Sequence, residues 1–179
     1  MKSRKFKTVL AILFLALVAS VIANPKAPPT RYYDGAPRTL VIAHQGGDGV
    51  WPGDTLLAFE NAVEIGSDVL EMDAHITKDG QIVLMHDEEV DRTTDGAGLI
   101  EDLKQLDAAY DWSTDNGATF PYRGQGIQAP TLEEVFQRFP NMRYVIEIKL
   151  TKNPIDKPLC DLIRQYDMQD KVLIGSFHD

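Results

Sequence analysis

Glu71 and Asp73 stand two residues apart in an otherwise apolar run. On a β-strand, residues two apart share a face, so both carboxylates project the same way. Two like charges side by side in an apolar strand are costly unless something positive compensates them. A divalent cation does so, and hard carboxylate oxygens suit Ca²⁺ or Mg²⁺. A lone Glu-x-Asp is more often a solvated strand face, so the weight comes from its neighbours. Lys78-Asp79-Gly80 is a turn signal, and the apolar run after it ends in His86. A two-residue loop at Asp79-Gly80 would set Lys78 opposite Gln81 and His86 opposite Asp73. A histidine beside a cation-bound phosphate can act as acid or base, because its ordinary pKa lies near neutrality.

His44 closes another short apolar run, Thr39–His44, at the strand end where α/β folds bind ligands. Glu147-Ile148-Lys149 again puts two charges on one face, flanked by Val145, Ile146 and Leu150. Glu147 offers a third oxygen ligand, and Lys149 can meet a phosphate as a point charge. An exposed Glu–Lys surface pair is the usual alternative, but the apolar flanks weigh against it. His75 and His178 read as ordinary surface positions. Cys160, the single cysteine, reads as a half-buried small hydrophobe and cannot form an internal disulfide.

The elements that must position these residues follow from the pattern. The run ending in His44 lacks alternation, as expected of a strand covered on both faces. A glycine-rich turn follows, then Asp54 as a helix N-cap, with Leu56, Phe59, Ala62 and Val63 at helical spacing up to Gly66. Val69–Thr77 and Ile82–His86 read as strands two and three. A helix is expected from about Glu101 to Ala109, and Asp111–Gln128 as a long surface loop. Thr131 and Glu134 form a capping box. A strand over Arg143–Leu150, a helix over Ile155–Tyr166 and a strand over Lys171–Phe177 complete the series. Strands alternating with helices predict an α/β protein with a largely parallel sheet.

At 179 residues, 44% hydrophobic and 25% charged, the chain has the size and composition of one soluble domain. A net charge of −9 argues against nucleic acid or an anionic membrane surface as the main partner. The N-terminus differs from the rest. A basic head (Lys2, Arg4, Lys5, Lys7) precedes an apolar stretch from Val9 to Ala23, the layout of an export signal. Residues 1–23 are therefore expected to be a cleaved signal or an uncleaved anchor, and 24–38 a proline-rich linker. Residues 39–179 are expected to form the folded domain that carries these side chains, exported to the periplasm or the extracellular space and, if the signal is not cleaved, anchored to the membrane.

Several linked motifs recur in order: Ala43-His44-Gln45-Gly46-Gly47, Pro52-Gly53-Asp54-Thr55, Asp68-Val69-Leu70-Glu71-Met72-Asp73, Thr77-Lys78-Asp79-Gly80, His86-Asp87, Arg92-Thr93-Thr94-Asp95-Gly96 and Glu147-Ile148-Lys149. Together they resemble the glycerophosphodiester phosphodiesterase family, a TIM-barrel group. The resemblance implies a (β/α)8 architecture, with about five of eight strands in this chain and the remainder cut away. It implies hydrolysis of glycerophosphodiesters to glycerol 3-phosphate and an alcohol, with Ca²⁺ or Mg²⁺ as cofactor. His44 and His86 would be the acid/base pair, Glu71, Asp73 and Glu147 the metal ligands, and Gln45 and Lys149 the substrate-phosphate contacts. The family usually has arginine where Gln45 stands, and Pro-Glu-Asn-Thr where this chain has Pro52-Gly53-Asp54-Thr55. A lipid-tailed diester, cleaved by a lysophospholipase D, is the alternative substrate, since a membrane-proximal tether would bring one within reach. A non-catalytic phosphate-binding remnant is the other. An incomplete barrel leaves open edges, so low stability of the isolated chain is expected.

Overall fold

The computed structural model describes residues 31–36, 39–100, 106–149 and 153–177. The expected signal and the start of the linker, residues 101–105 of the expected helix at 101–109, and His178 lie outside these residues. Residues 106–109 are turn and coil, not helix. No helix among the described residues is long and apolar enough to cross a membrane.

The described strands are β1 (Ile42–Ala43), β2 (Val69–Ile76), β3 (Ile82–Leu84), β4 (Arg143–Ile148) and β5 (Val172–Gly175). They form one sheet in the order β1-β2-β4-β5, parallel throughout, with β3 paired antiparallel to β2. Helices α1 (Leu56–Glu64), α2 (Leu132–Arg138) and α3 (Asp156–Gln165) intervene. This is the strand–helix alternation expected of a barrel-type α/β fold. The chain-edge strands carry exposed apolar side chains, Val41 and Ile42 beside β1 and Ile174 and Phe177 at β5.

All eight residues of β2 are buried, and the two faces do different work. Leu70, Met72, Ala74 and Ile76 join Phe59, Leu132, Phe136, Tyr144, Ile146 and Leu159 in the main apolar core. Burial of a side chain of this size contributes about 1.5–3 kcal/mol, and this layer fixes β2. The opposite face carries Glu71, Asp73, His75 and Thr77, all buried. Strand alternation thus forces four polar side chains inward, each of which needs a partner.

Two local expectations change. The loop between β2 and β3 has three residues, not two. Thr77 N–H donates to the Gln81 carbonyl, and Gly80 takes φ +87° in the turn. With Ala74 opposite Leu84, the register moves by one, so His86 counts opposite Met72 and lies beyond the ladder. The N-cap of α1 is Thr55, whose hydroxyl accepts from Ala58 N–H at 3.2 Å, and not Asp54. The capping box at α2 forms as expected between Thr131 and Glu134.

Candidate active site

The turn after β1 is a short 3-10 turn over His44–Gly46, seated on α1. Gly46 permits this seat: a Cβ there would come 2.7 Å from the Phe59 ring. Gln45 holds φ +48° and points its backbone and side chain at β2. Its N–H donates to Glu71 Oε2 at 2.7 Å, and its side-chain amide donates to Asp73 Oδ2 at 2.7 Å. The expected phosphate contact at this position is therefore an orienting group for two carboxylates. Gly53 has the same logic, because a Cβ there would lie 2.7 Å from Gln45 Oε1. The two departures from the usual family motif are coupled: the Gln45 amide occupies the room that Gly53 leaves.

Glu147 lies opposite Asp73 in the β2–β4 register, and this pairing brings the third carboxylate in. Oxygen atoms of Glu71, Asp73 and Glu147 all lie within 4.8 Å of one another, close enough to share one metal ion. Lys149 bonds to two of them, Asp73 Oδ1 at 3.0 Å and Glu147 Oε1 at 2.7 Å. Burial pushes the Lys149 ammonium down, but these two bonds outweigh it and hold its pKa above the ordinary value. Burial, opposed by the Gln45 N–H, raises the Glu71 carboxyl. A buried carboxylate cluster with one ammonium against it, on hard oxygen donors, fits a divalent cation.

Each expected acid/base histidine has an aspartate on Nδ1. His44 Nδ1 meets Asp48 Oδ1 at 3.1 Å, and its Nε2 lies 4.0 Å from Glu71 Oε2. The Asp48 bond, against some desolvation, raises the His44 pKa. His86 Nδ1 meets Asp87 Oδ1 at 2.7 Å, and Arg92 in turn holds the other oxygen of Asp87. Burial raises the Asp87 carboxyl, yet the Arg92 and His86 bonds prevail and set it below the ordinary range. A carboxylate on Nδ1 fixes the ring and leaves Nε2 for proton exchange.

His86 lines a cavity of about 580 Å³ with Gln45, Asp54, Arg92 and Trp112. Trp112 closes one wall, its indole N–H donating to the Asp48 carbonyl at 3.3 Å. On its other side His86 borders a second hollow with His75, Asp87 and Lys149.

The sequence reading missed four of these participants. Asp48 and Asp87 were signalled by spacing, four and one residues after the histidines they orient. His75, expected at the surface, is 2% exposed on the inward face of β2, with Nε2 buried and unpartnered. The i+4 spacing from Glu71 could have shown that it shares the carboxylates' face. Asp54, expected to cap a helix, instead lies 3% exposed beneath Asp73.

A partial α/β barrel with a carboxylate cluster at the carboxyl ends of parallel strands defines the class, and comparison with known proteins gives the family. The profile of the Glycerophosphoryl diester phosphodiesterase family matches residues 44–174. The chain belongs to this family. It is 36% identical over 151 residues to a glycerophosphodiester phosphodiesterase of Caldanaerobacter subterraneus, covering 79% of this chain and 59% of the relative. It is 35% identical over 144 residues to a human lysophospholipase D, covering 75% of this chain and 44% of the relative. An Oleispira antarctica phosphodiesterase, solved with the product sn-glycerol-3-phosphate, superposes with a TM-score of 0.64 at 31% identity. That match covers 78% of this chain and 58% of the solved one. The chain thus spans about half the length of the curated relatives it matches.

Proposed function

We propose that this chain carries the catalytic residues of a metal-dependent glycerophosphodiester hydrolase. The observation that carries the reading is the convergence of Glu71, Asp73 and Glu147 beside two aspartate-oriented histidines. The relatives named as glycerophosphodiester phosphodiesterases and the product complex support it.

Glu71, Asp73 and Glu147 would hold Ca²⁺ or Mg²⁺, which when bound neutralises charge on the non-bridging phosphate oxygens. Lys149 adds a positive charge for the phosphate at the same edge. Gln45 keeps two of the carboxylates aimed. One histidine, held by its aspartate, would take the proton of the attacking glycerol hydroxyl, and the other would return a proton to the leaving alcohol. Water would then open the resulting cyclic phosphate, one histidine taking the water's proton and the other protonating the released glycerol oxygen. The products are glycerol 3-phosphate and that alcohol. Residues 1–23 would direct export and 24–38 would tether the domain outside the cytoplasm.

A lysophospholipase D activity is the second reading. The human relative favours it, as does Val50, 60% exposed in the turn between the cavity-lining Asp48 and Gly53. Assay of glycerophosphocholine and lysophosphatidylcholine, each with Ca²⁺ or Mg²⁺ and with EDTA, tests both. Glycerol 3-phosphate from the first substrate supports the primary reading, and turnover of the lipid alone supports the second. Binding of either without turnover under any metal defeats both and leaves a phosphate-binding module.

A further inference from the structure

His75 is the buried histidine among the described residues, on the face of β2 that carries Glu71 and Asp73, whereas His44 and His86 are exposed. The acid/base pair does not include it. Its Nε2 is buried without a hydrogen-bond partner. The ring bonds the backbone of His86, and with Nε2 unpartnered that bond falls to Nδ1, whose N–H donates to the His86 carbonyl. His75 and His86 also border the same hollow, together with Asp87 and Lys149.

The strand pairing shows what this bond can do. The β2–β3 ladder reaches Leu84 opposite Ala74, and Met85 N–H then donates to the Asp73 carbonyl at 3.0 Å. His86 comes one residue later, where β3 has ended. Asp87 fixes the His86 ring and Arg92 holds Asp87, but both belong to the loop that follows and travel with it. His75 stands on β2, which is buried along its whole length, so its ring ties the His86 backbone to the sheet. A purely space-filling role would suit an apolar side chain better, since that would leave no buried nitrogen unpaired.

We propose that His75 is a positioning residue for His86: its ring, fixed in the buried face of β2, holds the His86 carbonyl and so sets where the His86 side chain meets the substrate. The proposal rests on reading His86 as one of the acid/base pair.

Steady-state hydrolysis of glycerophosphocholine with Ca²⁺ or Mg²⁺ tests it, alongside calorimetric cation binding and thermal melts. The proteins are wild type, His75→Phe, His75→Asn, His86→Ala and the His75→Phe/His86→Ala double variant. Phenylalanine fills the space of the ring and removes the donor. The asparagine amide nitrogen stands as many bonds from Cα as Nδ1 does, and restores it. His75→Phe is expected to lower kcat about tenfold or more, with KM and cation affinity near wild type and the melting temperature not lowered. His75→Asn is expected to recover most of that loss. On the His86→Ala background, His75→Phe is expected to cost little further, because positioning acts only through His86. Should His75→Phe fail to fold, His75→Leu carries the same readouts. Unchanged kcat in His75→Phe, an equal loss in His75→Asn, or the full loss repeated on the His86→Ala background overturns the positioning role and leaves the active site standing. A kcat loss matched by lost cation affinity or a lower melting temperature assigns His75 to stability and overturns it too. No turnover by wild type with either cation overturns the active-site reading and this proposal with it.

Discussion

The side-chain amide of Gln45 donates to Asp73 Oδ2 at 2.7 Å, across 28 residues of sequence. This bond joins the turn after β1 to the centre of β2 and sets the direction of a buried carboxylate. Lys149 holds the other oxygen of Asp73 at 3.0 Å, so each oxygen has one protein partner and keeps acceptor capacity for a cation. A buried hydrogen bond to a charged group is worth about 1.5–3 kcal/mol. Gln45→Ala is expected to destabilise the protein by that order, read as a lower urea midpoint with an unchanged slope.

Gly53 gives the partner prediction. Its α-carbon faces the Gln45 side chain, and a methyl group there would meet Gln45 Oε1 at 2.7 Å and Asp48 Cβ at 3.0 Å. Gly53→Ala must therefore displace Gln45, Asp48 or both. Overpacking of this kind costs about 1–3 kcal/mol. Gln45→Ala removes one clash, so in a double-mutant cycle the two changes are expected to cost less together than the sum of each alone.

Under the proposed mechanism Asp48 and Asp87 would act on the reaction through the histidines they touch. Asp48→Asn and Asp87→Asn preserve shape but let the ring nitrogens exchange tautomers. General acid–base catalysis supplies roughly 10²–10⁴-fold, and loss of orientation is expected to forfeit about 10- to 100-fold of kcat. KM and cation affinity stay near wild type, which steady-state kinetics and calorimetry check separately.

The buried carboxyls also give a pH dependence. Asp54 is held well above the ordinary carboxylate range by burial and then by Asp73, and Glu71 is raised by burial. With folded pKa values above the unfolded ones, the cation-free protein binds more protons than the unfolded chain in that interval. Their contribution to stability is complete below the unfolded pKa of about 4 and is lost as pH rises through the folded values. His75 works the other way. Burial lowers its pKa, so its contribution is present above about 6.5 and falls as pH drops below that. Asp54→Asn is expected to flatten the loss of stability above pH ~4 in EDTA-treated protein, read from melting temperature against pH. A slope identical to wild type would show that Asp54 is not the titrating group.

Much of this site is legible in the residues themselves, and the gaps have specific causes. Strand alternation alone places Glu71 and Asp73 on one face, and the β2–β4 register then sets Glu147 opposite Asp73. The hairpin differs from the expected two-residue turn because Gly80, as the left-handed residue of a three-residue loop, leaves the same Asp-Gly signature. Asp54 and Thr55 are both good N-caps, and propensity does not choose between neighbours. The choice falls to Thr55 because the Asp73 N–H, far away in sequence, claims Asp54. His75 is polar, which suggests a surface position, but its i+2 relation to Asp73 puts it on the same inward face of β2. The N-terminal signal, the proline-rich linker and export remain proposals from sequence.

The central claim is that the carboxylate cluster and the two histidines together hydrolyse a glycerophosphodiester. Its most direct test is release of glycerol 3-phosphate from glycerophosphocholine by wild type, His44→Ala and His86→Ala, in Ca²⁺ or Mg²⁺ and in EDTA. The account predicts turnover by wild type with the cation, none in EDTA, and a loss of roughly 10²-fold or more in each variant with its cation affinity intact. Undiminished turnover in both histidine variants, or full activity in EDTA, would contradict it.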